Sequence, residues 1–347
     1  MVTADEVSPR RGRWLTETAP RLAASRAGLA LVPAAAYLLV AARLGLKGPS
    51  HWGLAAVVVA LPVTSPAVRR LSLILLPFAI LAAVYDWLGM ARSFVAASGV
   101  HVVGPYLFDK MLFGVGTGPQ RLSLNELFAN HHWAAVDLVT GCAYLSYVFA
   151  VAGFAIFLAL ADRTPAGAAR TRALGWTFLG INLASFAVYL LCPVAPPWYV
   201  AAHGLGPVEV NAAASPAALA RWDSLVGVPY FANLYAQASD VFGAMPSMHC
   251  AYPMLLVVYG RELRRNRLLF ALVGFQLLMC FSAVYLQHHY VSDVVAGTLS
   301  ALFGYVIERS LSRRRAFARP SAQPGLADDS SLARWRPKRS AIKCSTQ

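Results

Sequence analysis

Several runs of about 17–25 apolar residues constrain this chain more than any other feature, because each is long enough to cross the hydrocarbon core of a bilayer. The 347 residues are 58% hydrophobic and only 13% charged. A soluble globular chain carries about 25% charge. In hydrocarbon every backbone polar group must be satisfied within the segment, so runs of this kind fold as helices. The expected fold is therefore all-α: a polytopic transmembrane helical bundle of about eight spans. They fall at roughly 27–44, 52–66, 71–90, 134–160, 173–191, 247–260, 268–287 and 290–307. The first 26 residues are polar and arginine-rich, which reads as a cytoplasmic basic arm and not as a cleavable leader. The transmembrane catalytic domain is expected over 27–308, with its core at about 110–308. A disordered basic cytoplasmic tail is expected over 309–347.

A net charge of +14 raises the possibility of a nucleic-acid partner, but the distribution of charge argues against it. With both termini in the cytoplasm, 24 of the 30 Lys and Arg residues fall on the inner side of the eight-span layout. The five cysteines show no CxxC spacing, so neither a disulfide framework nor a metal site is expected. No cofactor is implied, and no carboxylate cluster suggests a metal.

Two short segments carry the chemistry: Gly243–Pro253, GAMPSMHCAYP, and Tyr285–Gly297, YLQHHYVSDVVAG. Each lies where an apolar span meets a polar loop, and the layout puts both at the outer face. Pro246 and Ser247 read as a helix start, with His249 in its first turn, where unpaired backbone N–H groups favour an anion. His289 and Asp293 are four apart, which on a helix places both on one face. A carboxylate beside an imidazole fixes its tautomer and raises its basicity. An ionisable group entering an apolar span is usually functional. Two histidines at an anion-friendly helix end, one backed by an aspartate, point to attack on a phosphoryl group. His288 lies about 100° from His289 on a helix and reads as an interfacial residue facing a loop.

The two segments resemble the second and third motifs of the type 2 phosphatidic acid phosphatase superfamily, Pro-Ser-x-His and a histidine followed four residues later by aspartate. The likeness is closest to the inositol phosphorylceramide synthase branch, through CPVAPPWY, SPAALARWDSL, VFGAMPSMH and YLQHHYVSDVVAG in that order. It covers roughly residues 110–307. The resemblance implies a six-helix phosphatase-like core preceded by N-terminal spans. It also implies His289 as a nucleophile forming a phosphohistidine, Asp293 holding and polarising it, and His249 as the acid and base for the leaving and incoming alcohols. The superfamily's first motif, lysine and six residues then Arg-Pro, is missing, and Ser282-Ala283 stands where its third motif has Ser-Arg. Both departures remove cations that would hold phosphate. Arg92, Lys110, Arg121 and Arg221 are the candidates to replace them, with Asp86 and Arg92 the favoured pair. Ser247, Trp198 and Tyr199 complete the expected substrate-binding set, the two aromatics as walls of a lipid access groove.

The resulting expectation is a lipid phosphotransferase in a bacterial plasma membrane, working on the outer face. Its partners would be membrane lipids: a phosphatidylinositol-like donor and a lipid alcohol acceptor such as ceramide. Two alternatives stand beside it: a lipid phosphate phosphatase that uses water as acceptor, and a non-enzymatic lipid transporter.

Overall fold

The computed structural model describes residues 30–46, 48–63, 65–88, 99–237 and 241–317. The expected arm at 1–26 and the end of the tail at 318–347 lie outside the described residues, as does Arg92. Among the described residues the regular structure is helical, with three isolated β-bridges and no strand. The helices are α1 (Ala30–Arg43), α2 (Pro49–Val63), α3 (Pro66–Leu88), α4 (Val103–Phe113) and α5 (Leu124–Asn130). They continue with α6 (Ala134–Ala161), α7 (Pro165–Leu191), α8 (Pro197–His203) and α9 (Leu219–Val226). The last four are α10 (Tyr230–Ala236), α11 (Met248–Arg261), α12 (Asn266–Tyr285) and α13 (Val291–Phe317).

Each of the eight expected spans is helical over most of its described residues. Five of them, within α3, α6, α7, α12 and α13, are long and apolar enough to cross a membrane. α1 and α2 are shorter, and α11 has 14 residues. At 1.5 Å per residue α11 is about 21 Å long, less than the roughly 30 Å of a hydrocarbon core. α7 begins at Pro165, earlier than its apolar run. Thr164 caps it by accepting from the Gly167 N–H, and proline fills the first position, where no donor is needed. α13 continues to Phe317, so residues 309–317 are helical where disorder was expected. The chain divides into two compact units after Val306. The long 192–245 connection contains three short helices, α8 to α10.

Polar contacts orient the bundle. Arg70 on the first turns of α3 donates to the Ala159 carbonyl at the end of α6. Arg170 near the start of α7 pairs with Glu262, just after α11. These ends lie together, so the starts of α6 and α11 and the ends of α7 and α12 share the other end. The main core joins α6, α7, α11 and α12 through Phe154, Leu158, Phe178, Tyr252, Leu255 and Leu272. Between membrane helices lipid is as apolar as leucine, so small residues that allow close approach do much of the specifying. Gly297 is such a residue. A Cβ there would sit 2.0 Å from the Ser247 carbonyl oxygen, so only glycine lets α13 lie against the first residues of α11.

Gly297→Ala should therefore force α11 and α13 apart and lower the thermal unfolding midpoint in detergent by several degrees. Gly274→Ala, where nothing lies within 4 Å of an added Cβ, should leave the midpoint unchanged or raise it slightly through helix propensity. Equal midpoints for both variants would refute the close-approach account.

Candidate active site

His249 and His289 meet. His249 Nδ1 lies 3.0 Å from His289 Nε2, although forty residues separate them in sequence. His249 stands in the first turn of α11, and His289 in the turn between α12 and α13. His289 is buried at 5% exposure, while His249 keeps partial exposure.

The tautomers follow from the partners. The Ala244 carbonyl can only accept, so His289 Nδ1–H donates to it at 2.8 Å. That leaves the Nε2 lone pair of neutral His289 pointing at His249. Two lone pairs facing at 3.0 Å would repel, so His249 Nδ1 carries a proton and donates it to Nε2. Asp293 Oδ2 stands 3.7 Å from His289 Nδ1, within ion-pair range but too far for a hydrogen bond. Asp293 therefore meets His289 as an ion-pair neighbour, while the ring's Nδ1 hydrogen bond goes to the Ala244 carbonyl. Asp293 instead accepts from the Tyr290 N–H at 2.8 Å and, through its own carbonyl, from the Ser247 N–H at 3.0 Å. It ties the start of α13 to the start of α11.

Backbone stitching positions the Ala244 carbonyl. Val194 of the CPVAPPWY stretch donates to Phe242 O and accepts from Ala244 N–H, and Ala195 donates to His101 O. Trp198 N–H donates to Gln287 O, beside the histidine turn. Trp198 and Tyr199 themselves are buried at 8% and 1% among Val102, Ala212 and Phe242. Their side chains form a core beneath the turn and not the wall of an open groove. Ser247 occupies the cap position of α11, but its side chain makes no cap hydrogen bond.

Three further residues belong to this constellation. Asn125 Nδ2 on α5 donates to the carbonyls of Val284 and His289, at 2.9 and 3.1 Å. Asp109 on α4 is fully buried and accepts from the Ser292 N–H at 2.9 Å, capping α13. Burial pushes its carboxyl up from the ordinary range, against the lowering pull of the Ser292 hydrogen bonds. His288 is buried at 5%. Its Nε2–H donates to the Pro216 carbonyl at 3.2 Å, and Tyr235 O–H donates to its Nδ1 at 3.4 Å. It is no interfacial residue. Its ring stacks with those of Tyr144 and Tyr235, with centroids 5.2 and 4.9 Å away. Tyr144 also stacks on His249 at 4.1 Å, and its hydroxyl lies 3.2 Å from His249 Nδ1. Burial, with His289 beside it, pushes the His288 pKa down to about 3, so its ring is neutral at physiological pH.

The expected cations do not converge here among the described residues. Lys110 pairs with Glu126 at 3.0 Å. Arg121 donates to the Lys110 and Met111 carbonyls. Arg221 pairs with Asp137 at 2.8 Å and lies over the Tyr285 ring. Asp86 is joined to α2, bonded by Ser50 and 3.3 Å from His51 Nε2, so it does not reach the histidines. No group of three or more metal-ligating side chains occurs among the described residues.

Nitrogen-15 spectra of selectively labelled histidine should show His289 as the Nδ1–H tautomer at pH 8, and should show His288 remaining the neutral Nε2–H tautomer from pH 8 to pH 5. An Nε2–H signal on His289, or a His288 titration above pH 5, would contradict the assigned partners.

Comparison with known proteins places this geometry in a family. Residues 118–307 match the model of the PAP2 superfamily. A phosphoinositol dihydroceramide synthase of Bacteroides thetaiotaomicron is 34% identical over 284 residues, 81% of this chain and 90% of that protein. An inositol phosphorylceramide synthase of Candida albicans is 29% identical over 223 residues, 63% of this chain and 45% of that protein. The inositol phosphorylceramide synthase catalytic subunit of Schizosaccharomyces pombe is 34% identical over 136 residues, 39% of this chain and 32% of that protein. The chain thus spans less than half the length of the two fungal relatives. No solved structure matches it.

Proposed function

Since this chain belongs to the PAP2 superfamily and is an enzyme of the inositol phosphorylceramide synthase kind, we propose that it moves a phosphoinositol headgroup from a phosphatidylinositol-like donor to a ceramide-like alcohol through a phosphohistidine on His289. The observation that carries this reading is the 3.0 Å contact between the two imidazoles, with the His289 Nδ1 proton committed to Ala244. A nucleophile needs an unprotonated nitrogen, and the acid needs a proton within reach of the same phosphorus.

The steps balance as follows. His289 Nε2 forms a bond to phosphorus, and the bond from phosphorus to the diacylglycerol oxygen breaks. That oxygen takes a proton from His249, which enters the step as the imidazolium and leaves it as the neutral ring. The acceptor hydroxyl then gives its proton to His249 and attacks phosphorus, and the phosphorus–nitrogen bond breaks. Asp293 is a positioning residue in this scheme. Its charge, 3.7 Å from Nδ1, also stabilises the positive ring formed when Nε2 is phosphorylated. A diester donor carries a single negative charge. That suits a site whose neighbours are imidazole and tyrosine O–H groups better than a dianionic monoester would.

Transfer in place of hydrolysis requires that water be kept from the phosphohistidine. The 192–245 connection closes on the site through Pro216 and Tyr235, both bonded to His288. This supports alcohol as the acceptor over water. The bacterial relative's name favours a dihydroceramide-type alcohol, and the excess of basic residues at the opposite end of the bundle supports an outer-leaflet position for the pair.

Purified protein in vesicles with headgroup-labelled phosphatidylinositol tests the reading. Label should pass to ceramide lipid when ceramide is supplied. Release of soluble inositol phosphate regardless of acceptor would replace it with a phosphatase. His289→Ala should lower transfer at least 1,000-fold while the protein still inserts and purifies, in line with loss of a covalent nucleophile. Appreciable residual transfer would rule out the phosphohistidine. His288→Ala should instead leave donor cleavage measurable and raise the hydrolysed fraction.

A further inference from the structure

A second cluster of charge lies at the end of the bundle away from the histidines. A cavity of about 280 Å³ sits between α3 and α7, lined by Arg69, Arg70 and Arg172 together with Leu73, Ile74 and Thr171. α11 connects the two ends. His249 is in its first turn, and Glu262, which holds Arg170, follows its last. The helix rises about 20 Å between them, which puts the cavity roughly that far from the histidine pair.

The electrostatics of this end are unbalanced. Arg170 takes both carboxylates nearby, Asp162 at 3.2 Å and Glu262 at 2.9 Å. Among the described residues none of the three arginines lining the cavity makes an ion pair. Arg70 donates to the Ala159 carbonyl, while Arg69 and Arg172 are exposed. Three guanidinium groups around one cleft repel one another, and an anion between them relieves that repulsion. Guanidinium groups also bind phosphate through paired N–H donors. Leu73 is 40% exposed beside the cavity, an apolar contact for the start of an acyl chain. The volume is at the lower limit for a ligand pocket, enough for a headgroup phosphate and not for a whole lipid.

We propose that this cleft is a binding site for the phosphate of an anionic phospholipid in the leaflet opposite the histidine pair. A basic pocket between membrane helices recognises anionic headgroups through the same chemistry. The proposal is independent of the transfer reaction, since the cleft is distant from the pair and the probe need not be a substrate.

The test uses the full-length protein in phosphatidylcholine nanodiscs with and without phosphatidylglycerol, reading bound lipid by native mass spectrometry and the thermal midpoint. Phosphatidylglycerol should bind and raise the midpoint of the wild type. Arg69→Gln and Arg172→Gln should each weaken binding about fivefold, and the double variant more. Arg265→Gln/Arg267→Gln removes the same charge from the same end without touching the cavity, and should bind like the wild type. Equal losses in the two double variants would reduce the effect to surface charge and overturn the site. So would unchanged binding in Arg69→Gln/Arg172→Gln. Inorganic phosphate added in phosphatidylcholine alone should protect weakly; protection matching phosphatidylglycerol would make this a soluble-anion site and overturn the lipid assignment. If the double variant's midpoint falls in phosphatidylcholine alone, the single variants carry the comparison.

Discussion

The hydrogen bond from His289 Nδ1 to the Ala244 carbonyl depends on contacts gathered from residues as far apart as Asn125 and Gly297. Ala244 is aimed by pairing with Val194, and Val194 pairs with Phe242. His289 is aimed by Asn125, which holds its own carbonyl, and by Asp293, which ties α13 to Ser247. Gly297 permits the last of these contacts by leaving room for the Ser247 backbone. A neutral carbonyl as acceptor fixes the tautomer without adding charge. The carboxylate one shell further out supplies the charge. At about 4 Å and the effective dielectric of protein sites, such a pair interacts by on the order of 4 kcal/mol once the ring is positive. The two functions usually given to one aspartate are here divided between a carbonyl and a carboxylate.

That division explains what the sequence made legible. Apolar runs located all eight helices of the bundle, because hydrocarbon demands helices. Boundaries were less legible where polar turns continue a helix, as at Pro165, whose Thr-Pro start signals a cap, and at residues 309–317. Spacing and motif singled out His249, His289 and Asp293, which lie together in the structure. They did not reveal the Ala244 carbonyl, since a backbone acceptor leaves no mark in residue type. Asn125 and Asp109 were hidden for the opposite reason. Their side chains act on backbone groups more than 150 positions away, and nothing in the LNELF or FDK stretches announces the target. CPVAPPWY was legible as important but not in its role. Its aromatic rings fill a core, and its backbone does the aligning.

The paired tyrosines of α6 show how aromatic residues serve a polar site within a membrane. Tyr144 stacks on His249 and His288 at once, and Tyr147 packs against His249 at 4.3 Å. Two imidazoles facing lipid would be costly to bury alone. Flanked by ring faces and phenol hydroxyls, they keep polar partners while water is displaced. Tyr144 and Tyr147 stand three apart on α6, so both fall on one helical face.

The turn that carries the two adjacent histidines requires its own explanation. On a helix His288 and His289 would point about 100° apart and continue one surface. The chain leaves α12 instead through Gln287, whose φ of 68° lies in the left-handed region that non-glycine residues seldom adopt. The N–H groups of His288 and His289 both return to the Ala283 carbonyl, the pattern of a helix C-cap. Strain of this kind, of order 1 kcal/mol or more, persists only where neighbours over-determine it. Gln287 is fixed at both ends: its side chain donates to Asn125 O at 2.8 Å, and its carbonyl accepts from Trp198. The sharp exit sends His289 towards Ala244 and His249, and His288 towards Pro216 and Tyr235. One turn thereby aims a reactive nitrogen and fastens the segment that covers it, so the geometry of attack and the exclusion of water cannot vary independently.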